Sequence, residues 1–203
     1  MPESMRIILA SASRSRREML QAAGIVFEIE PADLDERAIR ETLTSSDEGV
    51  DPLDVAEVLA RAKAEAVSGR HPDALVIGSD QVLALENEIF EKPPDVARAR
   101  EMLKRLRGAT HQLHSVVALA SGGEADWTWS DTAHLTMRPF SVDFLEDYLV
   151  KAGPGILESV GAYRLEEIGV QLFEAIEGDY FTILGMPLVA LLGELRARGC
   201  LKS

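Results

Sequence analysis

The segment RIILASASRSRREML, residues 6–20, joins a short apolar run to two alternating serines and a cluster of arginines. A run such as RIILA is typical of a buried strand. The continuation RSRREMLQAAG has apolar residues at helical spacing and a glycine stop, which predicts a helix. The segment therefore predicts a strand that turns directly into a helix, as in an α/β fold.

The predicted turn carries Ser11, Ser13, Arg14, Arg16 and Arg17. Backbone N–H groups at a helix N-terminus are unpaired and partly positive, so they favour phosphate. Arginine adds bidentate donors to phosphate oxygens, although basic residues at this end oppose the helix dipole. Taken alone, the stretch fits a phosphate site or a solvated basic face equally well. The chain has no glycine-rich phosphate loop or dinucleotide fingerprint, so any nucleotide must be bound by a different motif.

Length and composition indicate an ordinary folded domain. The 203 residues are 46 % hydrophobic and 27 % charged, which is unlike a disordered chain. We expect one domain over residues 1–203. The net charge of -13 argues against nucleic acid or a membrane surface as the partner, because both are anionic. A small anion can still bind where positive charge is concentrated.

Targeting signals and cysteine usage predict a cytoplasmic location. No apolar segment approaches the roughly 20 residues that cross a bilayer. The start MPESMRIILASAS lacks the pattern of a secretory signal. The single cysteine, Cys200, excludes an internal disulfide framework and fits a reducing compartment.

Hydrophobic period and turn residues predict the remaining elements. These are a strand at 25–30, a helix at 51–70 with an Asp cap, a strand at 74–85 interrupted at its Gly-Ser-Asp step, a helix at 95–108, a hairpin of two strands at 111–140, and helices at 141–153 and 187–199. Strands and helices alternate early, whereas the middle is hairpin-like. The chain is therefore predicted to be α/β, with a mixed, partly antiparallel twisted sheet flanked by helices.

Asp80 interrupts an apolar run in ALVIGSDQVLAL. Burial of an unpaired carboxylate is costly, so Asp80 should face a cation, a hydrogen-bond cluster or a water-filled cleft. A turn cap after Gly78 is the simpler alternative.

Three further charged residues have the composition of a metal and phosphate site. Glu36 follows Asp35 after the second predicted strand, and Lys63 lies on the next helix. Lys92 precedes two prolines. Mg²⁺ takes a few carboxylates together with phosphate oxygens, so acidic residues beside a phosphate-binding turn suit it. An acidic loop and surface lysines explain the same residues equally well.

These motifs, in this order, resemble the Maf family of nucleoside triphosphate pyrophosphatases over nearly the whole chain. The matching pieces are Ser-x-Ser-x-x-Arg-Arg at 11–17, LDE at 34–36, RAKAEA at 61–66, GSDQV at 78–82, EKP at 91–93, RLRGATHQLHSVVAL at 105–119 and GAYRLEEIGVQLFEAIEGDYFTILGMPL at 161–188.

The resemblance implies a Maf-like fold and hydrolysis of a nucleoside triphosphate between its α- and β-phosphates, with a divalent metal such as Mg²⁺ or Mn²⁺. It implies that Asp80 activates water and, with Glu36, binds the metal. It implies substrate binding by six residues: Ser11, Ser13, Arg16, Arg17, Lys63 and Lys92. The roles of Glu36 and Lys63 could be exchanged without conflict with the sequence. The expected partner is a small nucleotide, and the family suggests a possible homodimer.

Base preference is expected to depend on Ser15, Gln81 and Glu166. Gln81 after Asp80 and Glu166 in GAYRLEE resemble the branch that acts on 7-methyl-GTP, because the dTTP and UTP branch tends to carry Thr and Gln there. A carboxylate accepts from the N–H groups of guanine and favours a cationic base. Ser15 replaces an aromatic residue of that branch, and Glu91 replaces the usual glycine before Lys-Pro. The alternatives are a dTTP/UTP pyrophosphatase and a nucleotide-binding regulator of cell division with little turnover.

Several conspicuous residues are interpreted as structural. His111 and His114 have no companion at metal-site spacing. Trp127 and Trp129 share a face of a predicted strand and should cover core or an interface. Tyr180 and Phe181 are expected to pack in the core.

Overall fold

The computed structural model describes residues 5–45 and 50–202. Within these residues one mixed sheet runs in the order β2-β1-β3-β5-β6-β7, with β4 paired to β3. The strands are β1 Arg6–Leu9, β2 Glu28–Ile29, β3 Ala74–Leu85, β4 Glu88–Phe90, β5 Thr110–Ser121, β6 Glu124–Met137 and β7 Phe173–Glu177. β1 pairs in parallel with β2 and β3, and the other pairs are antiparallel. The predicted mixed α/β sheet is confirmed.

The helices begin at side-chain caps that the sequence carries. Ser13, Asp51, Asp95 and Ser141 each accept a backbone N–H of the first turn. The helices are α1 Arg14–Ala22, α2 Glu36–Thr44, α3 Pro52–Ser68, α4 Val96–Leu106, α5 Val142–Ala152, α6 Tyr180–Ile183 and α7 Leu188–Ala197. Two 3-10 segments, Pro154–Glu158 and Ile168–Leu172, lie between α5 and β7. Helix α2 was not predicted.

Strand β3 is continuous, so the predicted interruption at Gly78 is wrong. Gly78 lies directly beneath α3. A Cβ at this position would be 2.2 Å from the carbonyl oxygen of Ala60 and 2.8 Å from the Cβ of Ala64. The glycine is required for the close approach of a helix to the sheet and does not break the strand.

The two faces of the sheet carry separate apolar layers. Ile8, Val76 and Val116 pack beneath α3. Their neighbours in the alternating pattern, such as Ile7 and Ile77, pack against α1 and α7 on the opposite face. A third cluster joins the far ends of β3, β5 and β6 to α4, α5 and the 3-10 segments. No helix in the described part of the chain is long and apolar enough to cross a membrane.

The long hairpin β5–β6 is confirmed, with Gly122 and Gly123 at its turn in positive φ of 60° and 90°. The interpretation of its tryptophans holds in part. Trp127 is half-buried against the layer formed with α1 and α7, whereas Trp129 is 52 % exposed. Similarly, Phe181 packs against this layer, while Tyr180 is largely exposed and contacts the ring of Phe181.

The predicted strand at 25–30 is much shorter than expected. Only Glu28 and Ile29 pair with β1, opposite Ile8 and Leu9. Strand β1 itself ends at Leu9, so no further ladder is available to β2 beyond the bond from Glu30 N–H to the carbonyl of Leu9.

Candidate functional site: a cationic cleft around Asp80

A cleft with a volume of about 660 Å³ opens where β1, β3, α1 and α2 meet. We call it the Asp80 cleft. Its lining includes seven cationic side chains, Arg14, Arg16, Arg37, Arg40, Lys63, Lys92 and Arg164, and five acidic ones, Glu36, Asp80, Glu91, Glu158 and Glu166. A local excess of positive charge in a chain of net charge -13 suits a small polyanion.

Asp80 is buried, with 4 % of its surface exposed. Its Oδ1 lies 2.7 Å from Nζ of Lys63, and the same ammonium group lies 3.0 Å from Oε1 of Glu36. Removal of one member of such a buried pair would leave an uncompensated charge. The carboxylate therefore faces a cation at a cleft, as one of the predicted alternatives required, and does not cap a turn.

Three elements assemble this charge cluster. Asp80 projects from the middle of β3, Lys63 from α3, and Glu36 from the first turn of α2. Lys63 lies between the two alanines that contact Gly78, so the close approach of α3 to β3 brings its ammonium group to Asp80.

Arg40 is a site residue that sequence reasoning missed. Its Nη2 lies 3.5 Å from Oδ2 of Asp80 and 3.9 Å from Oε2 of Glu36, and its side chain is 15 % exposed. Glu36 and Arg40 are four residues apart on α2, which places them on one helix face. The available signal was Asp35, which caps α2, together with the half-buried Ile39 and Leu43 at helical spacing.

The turn from β1 into α1 has the predicted serines and a buried arginine. Ser13 Oγ accepts the N–H of Arg16 as the helix cap, and Ser11 Oγ accepts the N–H of Ser13. Arg16 donates from Nε to the carbonyl of Gly185 at 2.9 Å and from Nη1 to Ser11 Oγ at 3.3 Å. Burial lowers the pKa of Arg16, an effect that Asp80 and Glu36 oppose.

The carbonyl of Gly185 organises this side of the cleft. It accepts from both Arg16 and Ser79, the neighbour of Asp80. Gly185 has a φ of 110°, which strongly favours glycine.

Lys92 also lines the cleft and is an exposed side chain. Its pKa is lowered by desolvation and then by the like charges of Arg16 and Lys63. Arg16, Lys63 and Lys92 all line this cleft, so three positive groups lie in the region where an anion would bind.

The other predicted residues divide between the cleft and the surface. Ser15, Gln81 and Glu166 line the cleft, as does Glu91. Arg17 is exposed and lies outside the lining residues. Arg14 occupies the rim instead and forms an ion pair of 2.7 Å with Glu18.

The amide group of Gln81 is held by the protein. Its Nε2 donates to Ser115 Oγ and to the carbonyls of Thr182 and Ile183, at 3.0 to 3.1 Å. These bonds fix which end of the amide carries the oxygen, because carbonyls only accept. Gln81 therefore anchors α6 as well as lining the cleft.

The segment that carries Glu166 is pinned at buried aromatic residues. Tyr148 Oη donates to the carbonyl of Ala162 at 3.0 Å, and Tyr163 Oη lies 2.8 Å from Nε2 of His111. Burial lowers the pKa of His111 to about 4, so this imidazole is neutral near pH 7. His114 Nδ1 lies 2.9 Å from Thr132 Oγ1. Both histidines therefore serve as strand residues, as predicted.

No cluster of three or more His, Cys, Asp or Glu side chains suited to a metal occurs among residues 5–45 and 50–202. Glu36 and Asp80 remain a pair of carboxylates at the cleft. Such a pair suits Mg²⁺, which binds through one or two carboxylates and substrate phosphates more often than in an all-protein cage.

Fold and site together define a mixed-sheet α/β protein whose cationic cleft surrounds one buried, lysine-paired carboxylate. Residues 6–198 match the model of the family described as Maf-like protein. The chain belongs to the Maf family.

Similar proteins cover nearly all of this chain. A 7-methyl-GTP pyrophosphatase of Rhizobium etli is 50 % identical over 96 % of this chain and 96 % of its own length. One of Brucella abortus is 48 % identical over 98 % of both chains. A nucleoside triphosphate pyrophosphatase of Granulibacter bethesdensis is 50 % identical over 95 % of this chain and 96 % of its own.

Among solved structures, a nucleoside-triphosphatase, dITP/XTP pyrophosphatase, from Mycobacterium abscessus aligns over 96 % of this chain and 95 % of that one. Its TM-score is 0.41 at 14 % identity, so it carries no argument about the site.

Proposed function

We propose that this chain hydrolyses a nucleoside triphosphate between its α- and β-phosphates, with 7-methyl-GTP as the preferred substrate. The observation that carries the proposal is the buried Asp80 carboxylate, paired with Lys63 at 2.7 Å at the floor of a cationic cleft. Relatives of 48 to 50 % identity that are named for 7-methyl-GTP pyrophosphatase activity support the choice of reaction and base.

Asp80 is the proposed proton acceptor. Lys63 holds Oδ1 of this carboxylate at 2.7 Å, and a carboxylate is a group able to take a proton from water. The attacking water would lie in line with the bond to the leaving pyrophosphate. Most of the catalytic effect would come from positioning and from neutralisation of phosphate charge.

Ser11, Ser13, Arg16 and Lys92 are the proposed phosphate ligands. In the bonds described above the serine oxygens accept, so each hydroxyl hydrogen can still donate to a phosphate. Arg16 is pre-oriented by Gly185 and Ser11 and would lose little conformational freedom on binding. A role for Arg17 stays a prediction, since it lies outside the cleft lining.

Glu36 and Asp80 would hold the divalent metal, Mg²⁺ or Mn²⁺, together with substrate phosphates. When bound, the metal would supply charge neutralisation on the polyphosphate. Lys63 contacts both carboxylates, so its ammonium group would orient them toward a shared ligand.

Glu166 is proposed to recognise the base. Its carboxylate can accept hydrogen bonds from two N–H groups of guanine and favours a methylated, cationic ring. Glu166→Gln should lower the ratio of kcat/KM for 7-methyl-GTP over UTP by about tenfold, the equivalent of one modest interaction. An unchanged ratio would remove Glu166 from this role.

The primary test measures pyrophosphate release with Mg²⁺ from 7-methyl-GTP, GTP, UTP and dTTP. We expect pyrophosphate release to be fastest from 7-methyl-GTP. We expect Asp80→Asn to reduce kcat by about 10³-fold, the usual contribution of a general base. If UTP or dTTP were hydrolysed fastest, the proposed reaction would be supported, and the proposed preference for 7-methylguanine as the base would be wrong. Tight nucleotide binding without turnover would favour the regulator instead.

A further inference from the structure

Ser115 lies outside the lining of the Asp80 cleft but bonds to Gln81, which is part of that lining. It is fully buried on β5, and the register of the sheet places it between Gln81 on β3 and Asp131 on β6. Directly opposite residues of neighbouring strands project from the same face of a sheet. Gln81, Ser115 and Asp131 therefore form one polar row across three strands.

Thr182 of α6 contacts every member of this row and is itself fully buried. Its carbonyl accepts from Ser115 Oγ at 2.8 Å and from Gln81 Nε2 at 3.0 Å. Its hydroxyl donates to Asp131 Oδ2 at 2.7 Å, and its N–H donates to Asp179 Oδ1 at 3.1 Å. The acceptor that faces Ser115 and Gln81 is therefore held in place from the other side by two carboxylates.

The hydroxyl of Ser115 can act only as an acceptor toward Gln81. A hydroxyl group has one hydrogen, and that of Ser115 is used in the bond to the Thr182 carbonyl. The carbonyls of Thr182 and Ile183 also only accept. If the amide of Gln81 were reversed, its oxygen would face three acceptors and its bonds there would be lost.

This arrangement fixes which atom Gln81 presents to a ligand. Its Oε1 lies on the side of Gly185, where a Cβ would be 3.7 Å from Oε1 and 3.6 Å from Nη2 of Arg16. Gly185 and Arg16 line the cleft together with Gln81. An amide oxygen repels phosphate oxygens and suits N–H donors. The guanine edge offers donors at two neighbouring nitrogens, whereas uracil offers one.

We propose that Ser115 is a positioning residue for base preference, which acts through Gln81 and touches no substrate; the proposal rests on the function proposed above. Ser115 and the Thr182 carbonyl hold Nε2 of Gln81, so that Oε1 meets the base as a fixed acceptor. A glutamine without these partners could present either end of its amide and would discriminate less between bases.

The test compares Ser115→Ala with Ser68→Ala, which removes the same hydroxyl from an equally buried position. Ser68 lies on α3, accepts the N–H of Gly123 at 3.0 Å and is outside the cleft lining, so it is a matched control. For Ser115→Ala we expect the ratio of kcat/KM for 7-methyl-GTP over UTP to fall about fivefold, the size of one neutral hydrogen bond. Ser68→Ala should keep this ratio within about twofold of wild type. A ratio that Ser115→Ala leaves unchanged would overturn the proposal.

A double-mutant cycle separates positioning of the amide from a general structural effect. In the Gln81→Leu background there is no amide to orient, so Ser115→Ala should change the ratio by less than about twofold. The same fivefold fall in both backgrounds would mean that Ser115 acts by another route and would overturn the proposal.

Amide hydrogen exchange tests the geometry without a change at Ser115. In ¹⁵N-labelled wild-type protein, the side-chain amide signals of Gln81 can be assigned by their absence from Gln81→Leu. Both hydrogens should exchange with solvent more slowly than those of the exposed Gln21. Exchange as fast as at Gln21 would overturn the claim that the amide is held.

A failure of the proposed function has a different signature. If wild-type protein hydrolysed no nucleotide, the Kd values of 7-methyl-GTP and UTP could still be compared by calorimetry. A smaller preference for 7-methyl-GTP in Ser115→Ala than in Ser68→Ala would support the positioning role independently of turnover. Equal preferences in the two variants would overturn it.

Discussion

Gly78 controls how closely α3 approaches the sheet, and through that distance it controls the contact between Lys63 and Asp80. The carbonyl of Ala60 and the backbone nitrogen of Ala64 lie 2.2 and 2.7 Å from the position of a Cβ at residue 78. Both are backbone atoms of a helix, so they cannot move individually. A structural glycine therefore contributes to the site without lining it.

Gly78→Ala should destabilise the fold by about 3 kcal/mol through overpacking and should reduce activity as Lys63 moves away from Asp80. The melting temperature should fall by about 6 to 12 °C, since about 2 to 4 °C corresponds to each kcal/mol at this size. Thermal unfolding and pyrophosphate release would measure the two effects. A variant with wild-type stability would contradict the packing account.

The matched control is Gly193→Ala in helix α7, where nothing lies within 4 Å of the added Cβ. Alanine restricts the unfolded chain and is the better helix former. We expect a gain of about 0.5 to 1 kcal/mol in the free energy of unfolding, measured by denaturant titration. A loss would mean that α7 requires this glycine for another reason.

Lys92 has a lowered pKa, so it loses its proton at a lower pH than an ordinary lysine. If it binds phosphate, kcat/KM should fall as the pH rises through that lowered pKa. Lys92→Arg keeps its charge, because arginine stays protonated, and should retain activity to higher pH. Identical alkaline limbs for wild type and Lys92→Arg would exclude Lys92 as the titrating group.

At the scale of elements, the segment between α5 and β7 is attached to α5 by Tyr148 and to β5 by Tyr163. Ala162, whose carbonyl accepts the bond from Tyr148, adopts a positive φ of 54°. This attachment holds Leu165 and Glu166 at the cleft. His111 on β5 is the partner of Tyr163, so its protonation state bears on the whole segment.

The pH dependence of stability should report on His111. Its pKa is about 4 in the folded protein and 6.5 in the unfolded chain, so the unfolded chain binds the proton more strongly. The stabilisation is complete above about pH 6.5 and is lost as the pH falls toward 4. It amounts to about 3 kcal/mol.

His111→Gln removes this titration while a polar side chain remains. The difference in free energy of unfolding between wild type and variant should shrink by about 3 kcal/mol between pH 7 and pH 4. Other acid-sensitive groups are common to both proteins and cancel in the difference. A constant difference would contradict burial of a neutral His111.

At the scale of the whole molecule, the cleft gathers residues from the turn after β1, from α1, α2, α3 and β3, and from the segment before β7. These elements are distant in the chain, so the site exists only in the folded state. A ligand of this cleft should therefore stabilise the entire fold.

The Asp80→Asn variant allows stabilisation of the fold by bound nucleotide to be measured without hydrolysis. With 7-methyl-GTP at 100 times its Kd, we expect about 2.7 kcal/mol of stabilisation and a rise in melting temperature of about 5 to 10 °C. The nucleoside 7-methylguanosine, which lacks phosphates, should give little shift at the same concentration. An equal shift from both would contradict binding through the phosphate chain.

Much of the fold could be predicted from the sequence, because helix caps, turn glycines and apolar period act locally. Asp51, Asp95 and Ser141 mark helix starts, and Gly122 and Gly123 mark the hairpin. The error at Gly78 arose because a glycine within an apolar run signals either a break or a close approach. Only the position of α3 distinguishes the two.

The sequence by itself determined the order of the longer strands and most helices, the mixed sheet and the family, since these follow from local pattern and motif order. It also singled out Asp80 as a carboxylate that requires a partner. Tertiary structure alone decided that the partner is Lys63, that Arg40 joins it while Arg17 remains on the surface, and that Gly185 orients Arg16. The physical reason is that these contacts join residues far apart in the chain, and no local preference specifies which distant groups will meet.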